Sequence, residues 1–198
     1  MLLGETLCAI AVAHRQLGRD AATGRALFAM MTINCTKKLA GRIPFPLVDH
    51  LPPTSNVLGA WCANIFNVGR TPLIIVTNEK TLLSVLLPFK EIRTFHGRFL
   101  DSLEVLLHSI ALSSGQIQTE LENMQIVQYT DRTNRSVLAS MNDFVINVRA
   151  HEPGHTLDEV SFNLSGIPCG PLKYGTPREA VLEVIDPPPH RFRSTSLR

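Results

Sequence analysis

The stretch from Trp61 to Pro88 sets the tightest limit on the fold. Trp61 to Val68 is rich in aromatic and β-branched residues, which favour a pleated strand. Gly69-Arg70-Thr71-Pro72 carries turn chemistry, and Leu73 to Thr77 is an apolar, β-branched run. Asn78-Glu79-Lys80 makes a second turn, and a third strand covers Thr81 to Leu87 before Pro88 ends it. Strands joined by turns this short pair as hairpins. The sequence therefore predicts an antiparallel β-meander.

Residues 90–114 carry the clearest helical pattern. Ile92, Phe95, Phe99, Leu103, Leu106 and Ile110 recur at spacings of three or four, and Gly115 stops the run. A short helix is expected over 117–123 and a strand over 125–130. Asp131-Arg132-Thr133-Asn134 forms a turn, with Asn134 as the N-cap of a second main helix from Arg135 to about Arg149. Its buried stripe is Val137, Met141, Phe144 and Val148. Pro44, Pro46, Pro52 and Pro53 make 41–59 a loop, because proline denies both helix and inner-strand hydrogen bonding. Ahead of that loop, Thr32 to Leu39 reads as a short strand and a turn. Leu157 to Leu164 precedes a rigid bend at Pro168-Cys169-Gly170-Pro171, and a last helix covers Pro177 to Ile185.

Strands followed by segregated helices give an α+β fold. The expected architecture is an antiparallel sheet packed on one face by two main α-helices, with short C-terminal helices. A single domain is expected over 32–186. Residues 1–31 read as an N-terminal extension, either a docked helix or the product of an upstream start. Residues 187–198, with three arginines and no acid, read as a disordered basic tail.

Composition narrows the function. At 44% apolar over 198 residues a buried core is within reach, and no apolar run approaches the ~18 residues of a membrane span. Net charge is +2, but residues 32–186 alone carry −2. A nucleic-acid binder usually has a basic domain rather than a basic tail, so this class is disfavoured. Cys8, Cys35, Cys62 and Cys169 are far apart, with no two-residue spacing of a zinc or redox motif. Reduced thiols in a cytoplasmic protein are expected.

His151-Glu152-Pro153-Gly154-His155 matches the H-E-x-x-H pattern of zinc proteases. That chemistry needs both histidines on one helical face, one turn apart. Proline costs about 3 kcal/mol inside a helix and glycine about 1, so the match reads as a coincidence in a loop. Glu79, Asp131 and Asp143 are a candidate carboxylate set for a metal-dependent hydrolase or nuclease. Lys37, Lys38, Arg132 and Arg135 are candidate phosphate contacts, the last two beside a helix N-terminus. Arg135, Asn142 and Arg149 repeat every seven residues and share a helix face. Neither Cys62 nor Cys169 has an evident catalytic partner.

Several segments occur in a recognisable order: Asn34-Cys35-Thr36-Lys37-Lys38-Leu39, Trp61-Cys62-Ala63-Asn64-Ile65, Thr77-Asn78-Glu79-Lys80-Thr81-Leu82, and Asn134-Arg135-Ser136-Val137-Leu138-Ala139-Ser140-Met141-Asn142-Asp143. Asn163-Leu164, Ile167-Pro168, Tyr174 and Pro177-Arg178-Glu179-Ala180 follow. This pattern resembles a family of bacterial proteins that carry one domain of unknown function, over roughly residues 32–185. The resemblance implies a single cytoplasmic domain and carries no activity. It directs attention to Lys37, Lys38, Asn78, Arg135, Ser136, Asn142 and Asp143, and the His151–His155 stretch is not part of it.

The function expected from these readings is a non-enzymatic binding or interaction domain without a cofactor. Its partner is a protein or a second copy of the chain, with no membrane. The hydrolase built on Glu79, Asp131 and Asp143 and the nucleic-acid binder built on Lys37, Lys38, Arg132 and Arg135 stand as alternatives.

Overall fold

The β-branched runs after Trp61 do form hairpins. In a computed structural model, which describes residues 30–49, 54–150 and 154–187, β2 (Trp61–Val68), β3 (Thr71–Asn78) and β4 (Ser84–Pro88) make an antiparallel meander. Gly69 takes φ +56° at the β2–β3 turn, in the left-handed region that glycine enters without strain. The third strand starts three residues later than expected, because Asn78 organises the turn before it. Asn78 Oδ1 accepts from the backbone N–H of Lys80 and Thr81 and from the Thr81 hydroxyl. Its Nδ2 donates to the carbonyls of Leu58 and Ala60. This candidate site residue is therefore a buried tie between two loops.

The remaining elements are β1 (Met30–Cys35), α1 (Lys37–Ala40), α2 (Phe95–Ser109), α3 (Ser114–Glu122), β5 (Ile126–Thr130), α4 (Arg135–Ala150), α5 (Leu157–Ser165) and α6 (Pro177–Ile185). The sheet order is β4-β3-β2-β1-β5. β1 lies between β2 and β5 and runs parallel to both, with Asn34 opposite Cys62 on one side and Thr130 on the other. The sheet is thus mixed, and the expectation of an antiparallel meander holds for β2 to β4 alone. Parallel partners are joined by long crossovers and leave no turn signature in the local sequence.

Period-two alternation splits the sheet residues between two cores. On one face Ile33, Trp61, Ile65, Ile74, Val76 and Val85 pack against Phe95, Phe99, Leu103 and Leu106 of α2. The Trp61 ring meets Phe99 edge-on at 5.0 Å. On the other face Cys62, Phe66, Leu73, Ile75 and Leu86 pack against Val137, Met141, Phe144 and Val148 of α4, and Val160 and Leu164 of α5. The two main helices therefore cover opposite faces, where the sequence reading put both on one. The reason is visible in β2 and β3, whose residues are apolar on both sides, and each such face needs a cover. Burying each large apolar side chain contributes about 1.5–3 kcal/mol.

Polar groups secure the margins. Glu120 of α3 is buried and accepts from Val57 N and Leu58 N at 2.8 Å and from Asn56 Nδ2 at 3.1 Å, pinning the loop ahead of β2. Thr156 and Glu159 form a reciprocal capping box that starts α5, a segment whose type the sequence reading left open. On the outer side of β4, the Leu86 N–H donates to Ser161 Oγ of α5 at 3.0 Å, and that hydroxyl donates onward to Leu157 O. Beyond β5, Val48 N donates to Tyr129 O at 2.8 Å. The expected extension over residues 1–31 falls outside the described residues up to 29, with β1 beginning at Met30, and the expected tail from 188 onward falls outside them as well. No helix among the described residues is long and apolar enough to cross a membrane.

Candidate functional site

β2 is longer than β1. Pairing stops at Cys35 opposite Ala63, so Asn64 to Val68 overhang the carboxyl end of β1. In open sheets with parallel strands, ligands bind outside the carboxyl ends of those strands. Here that space is a cleft of about 380 Å³, lined by Lys38 of α1, Asn64, Ile65 and Phe66 of β2, and Asn142, Val145, Ile146 and Arg149 of α4. Its size is typical of small-molecule sites. Among the described residues the lining has two cations, two carboxamides and an apolar floor, and no carboxylate.

Several local contacts orient these groups. Thr36 caps α1 and its hydroxyl donates to Asn64 Oδ1 at 2.8 Å, which leaves the Asn64 amide N–H₂ as a donor. Arg149 donates Nε to Asn67 O at 3.2 Å, which holds the guanidinium at the cleft. Asn142 and Arg149 are seven residues apart, so one face of α4 presents both. Lys38, Asn142 and Arg149 are exposed, so their charge and hydrogen bonds are open to a ligand.

Deeper along the same sheet face lies a second polar group. Glu79 Oε1 accepts from Asn34 Nδ2 at 2.6 Å and from the Cys62 thiol at 3.1 Å. Burial pushes the Cys62 pKa up to about 12; the Asn134 backbone N–H opposes this and the Glu79 carboxylate adds to it. Cys62 is therefore a protonated donor at neutral pH, and a thiol in that form is a poor nucleophile. Asn34 is 7% exposed, and its Oδ1 has no hydrogen-bond donor among its neighbours. That leaves one buried acceptor on the floor beneath the N-terminus of α4.

The structure redistributes the residues singled out by sequence. Asn134 does cap α4, its Oδ1 accepting from Ser136 N at 3.1 Å. Lys37 and Lys38 follow the carboxyl end of β1, and Asp131, Arg132, Arg135 and Ser136 follow that of β5, all exposed. Neighbouring Asn142 and Asp143 diverge. Asn142 faces the basic cleft, whereas Asp143 lines a separate small cleft with Ser140, Cys169 and Pro171. Glu79, bonded to Asn34 and Cys62, does not join Asp131 and Asp143 in a ligand set. Among the described residues no three His, Cys, Asp or Glu side chains are grouped to hold a metal. His151, Glu152 and Pro153 lie outside the described residues; α4 ends at Ala150, and His155 precedes α5.

Sequence reasoning missed Asn34, Asn64 and the Cys62–Glu79 contact. A signal was present. Asn34 in β1 and Thr36 just past its end alternate, as Cys62 and Asn64 do along β2, which places polar atoms on one face of otherwise apolar strands.

No curated protein matches the chain, and no solved structure does. The family described as Domain of unknown function (DUF6933) matches residues 32–180, from within β1 to the first turn of α6. That span includes every element lining the basic cleft, and it agrees with the resemblance carried by the Asn34–Leu39 and Asn134–Asp143 segments. The chain belongs to the DUF6933 family.

Proposed function

We infer that the chain is a binding module that holds an anionic small molecule, a carboxylate or phosphate monoester with an apolar body, beyond the carboxyl end of β1. One observation carries this reading. Lys38 and Arg149 converge with Asn64 and Asn142 on a cleft that, among the described residues, no acid lines. A guanidinium pairs with planar anions in a two-pronged fashion, while an ammonium acts as a point charge, so the two complement each other. Phe66, Val145 and Ile146 accept the ligand body. Binding without turnover fits a lining that, among the described residues, offers donors and charge but no His, Asp, Glu or Cys to move a proton or attack. A cytoplasmic setting fits the free, buried thiols of Cys35, Cys62 and Cys169.

The test is calorimetric titration of the full chain with a panel of alkyl and aryl carboxylates and phosphate monoesters at low salt. Binding is expected to weaken as salt rises. Arg149→Ala and Lys38→Ala are each expected to lose about 10-fold in affinity, as for a hydrogen bond to a charged group. The ligand is recovered unchanged. Affinity that is indifferent to Arg149→Ala, or a panel without a single binder, refutes the reading.

A second reading, nucleic-acid binding, draws on the placement of Lys37, Lys38, Arg132 and Arg135 after the carboxyl ends of adjacent strands. It requires binding whose logarithm falls steeply with the logarithm of salt, and absence of filter retention of DNA and RNA at low salt removes it.

A further inference from the structure

A second groove lies away from the basic cleft, between α2 and α5. It measures about 640 Å³ and is lined by Val105, Leu106 and Ser109 on one bank and by His155, Asp158, Glu159, Phe162 and Asn163 on the other. Two features set it apart from ordinary surface. Both banks expose large apolar groups, with Val105 at 50% and Phe162 at 36%. The charge is one-sided as well: among the described residues Asp158 and Glu159 line the groove, and no Lys or Arg does.

The spacing explains how two helices present this surface. Asp101, Val105 and Ser109 recur every fourth residue along α2 and form one stripe, as Asp158 and Phe162 do along α5. Acid therefore stands near one end of the α2 bank and at the start of the α5 bank, with apolar side chains between. The Arg98 guanidinium, one turn before Asp101, is held by the carbonyls of Pro88 and Lys90, so its nitrogens are bonded away to the β4–α2 connection.

We propose that this groove docks a basic peptide segment of a partner protein, with an apolar anchor side chain seated between Val105 and Phe162 and flanking arginine or lysine side chains against Asp158, Glu159 and Asp101. Charge complementarity selects that occupant. An acidic or neutral segment gains nothing from the carboxylates, and a purely polar one leaves the apolar banks wet. Arginine suits the banks twice over, since its guanidinium pairs with a carboxylate and its stem covers apolar surface. Two helical banks with an open trough between them suit an extended or helical segment.

The test uses the full chain and a synthetic peptide with an Arg-Phe-Arg centre flanked by glycine and serine. Affinity is read by fluorescence anisotropy and location by amide chemical shifts. The wild-type chain should bind it with salt-sensitive affinity and with shifts centred on Val105, Ser109, Asp158 and Phe162. Replacing the peptide phenylalanine by glycine, or both its arginines by glutamate, should cost 10-fold or more. Asp158→Lys and, independently, Val105→Asp should each cost 10-fold or more; Val105 is half exposed, so the second variant retains the fold, as thermal melts would verify. Shifts that map elsewhere, affinity unchanged in a folded Val105→Asp chain, or no binding at low salt would overturn the proposal.

Discussion

Truncating Glu120 to alanine is expected to destabilise the fold by about 3–5 kcal/mol. The carboxylate is 2% exposed and receives three donors: Val57 N, Leu58 N and Asn56 Nδ2. A buried donor left without an acceptor costs about 1–3 kcal/mol. Three donors, two of them buried, set the range, reduced at the upper end because Val57 is half exposed and the carboxylate no longer has to be desolvated. Glu120→Gln is the informative companion. Its amide oxygen can retain Leu58 N and Asn56 Nδ2, but its N–H₂ then faces Val57 N, so one bond is lost and two donors oppose each other. About 1–3 kcal/mol is expected. The assay is urea unfolding followed by fluorescence of Trp61, the one tryptophan of the chain. In thermal melts the difference amounts to about 2–4 °C per kcal/mol. A Glu120→Ala chain within about 1 kcal/mol of wild type would show that the loop donors simply turn to water, and the reading of Glu120 as the tie that positions β2 would be wrong.

Three further outcomes follow from side-chain environments. Cys35 and Cys62, both with pKa pushed up to about 12 by burial, are expected to resist iodoacetamide at pH 8, where about one thiol in ten thousand is ionised; peptide mapping that finds either one readily alkylated in the native chain contradicts this. Burial lowers the His96 pKa below its ordinary 6.5, against the pull of the Met124 carbonyl, so the unfolded chain takes up the proton first. Its contribution to stability is complete above about pH 6.5 and is lost as pH falls from there toward the folded pKa. His96→Gln should flatten that part of the urea midpoint against pH curve, and an unchanged curve counts against the assignment. Asn134→Ala removes the cap of α4 and should cost about 1 kcal/mol, with Asn134→Ser close to neutral by the same measurement.

How much of this was legible depended on the range of the interaction. The β2–β3 hairpin, the cap at Asn134 and the α4 and α6 boundaries rest on neighbours a few residues apart, and residue chemistry alone located them. The slot taken by β1 depends on Asn34 meeting Cys62 and Thr130 across long stretches of chain, and no local pattern encodes such a choice. The same limit governed the site. Lys38, Asn142 and Arg149 were visible one by one, but their convergence required knowing that β2 overhangs β1 and that α4 crosses it. The divergence of Asn142 from Asp143 is helical geometry, readable once the stripe Val137, Met141, Phe144 and Val148 fixes which way α4 faces. Placing both helices on one sheet face failed for a different reason. The runs in β2 and β3 are apolar without alternation, which is the mark of a strand covered on both faces.

The hydroxyl of Ser161 has a role wider than its single bond to Leu86. A sheet margin with vacant amides invites a foreign strand to add itself, the first step toward runaway polymerisation. Here one margin has an amide already claimed by a helix, with Pro88 closing the strand, and the opposite margin is occupied near Tyr129 by Val48. A sheet with both margins partly taken in this way resists edge-to-edge addition, so Ser161→Ala, which leaves the buried Leu86 N–H without an acceptor, should cost about 1–3 kcal/mol and also make the protein stickier toward itself.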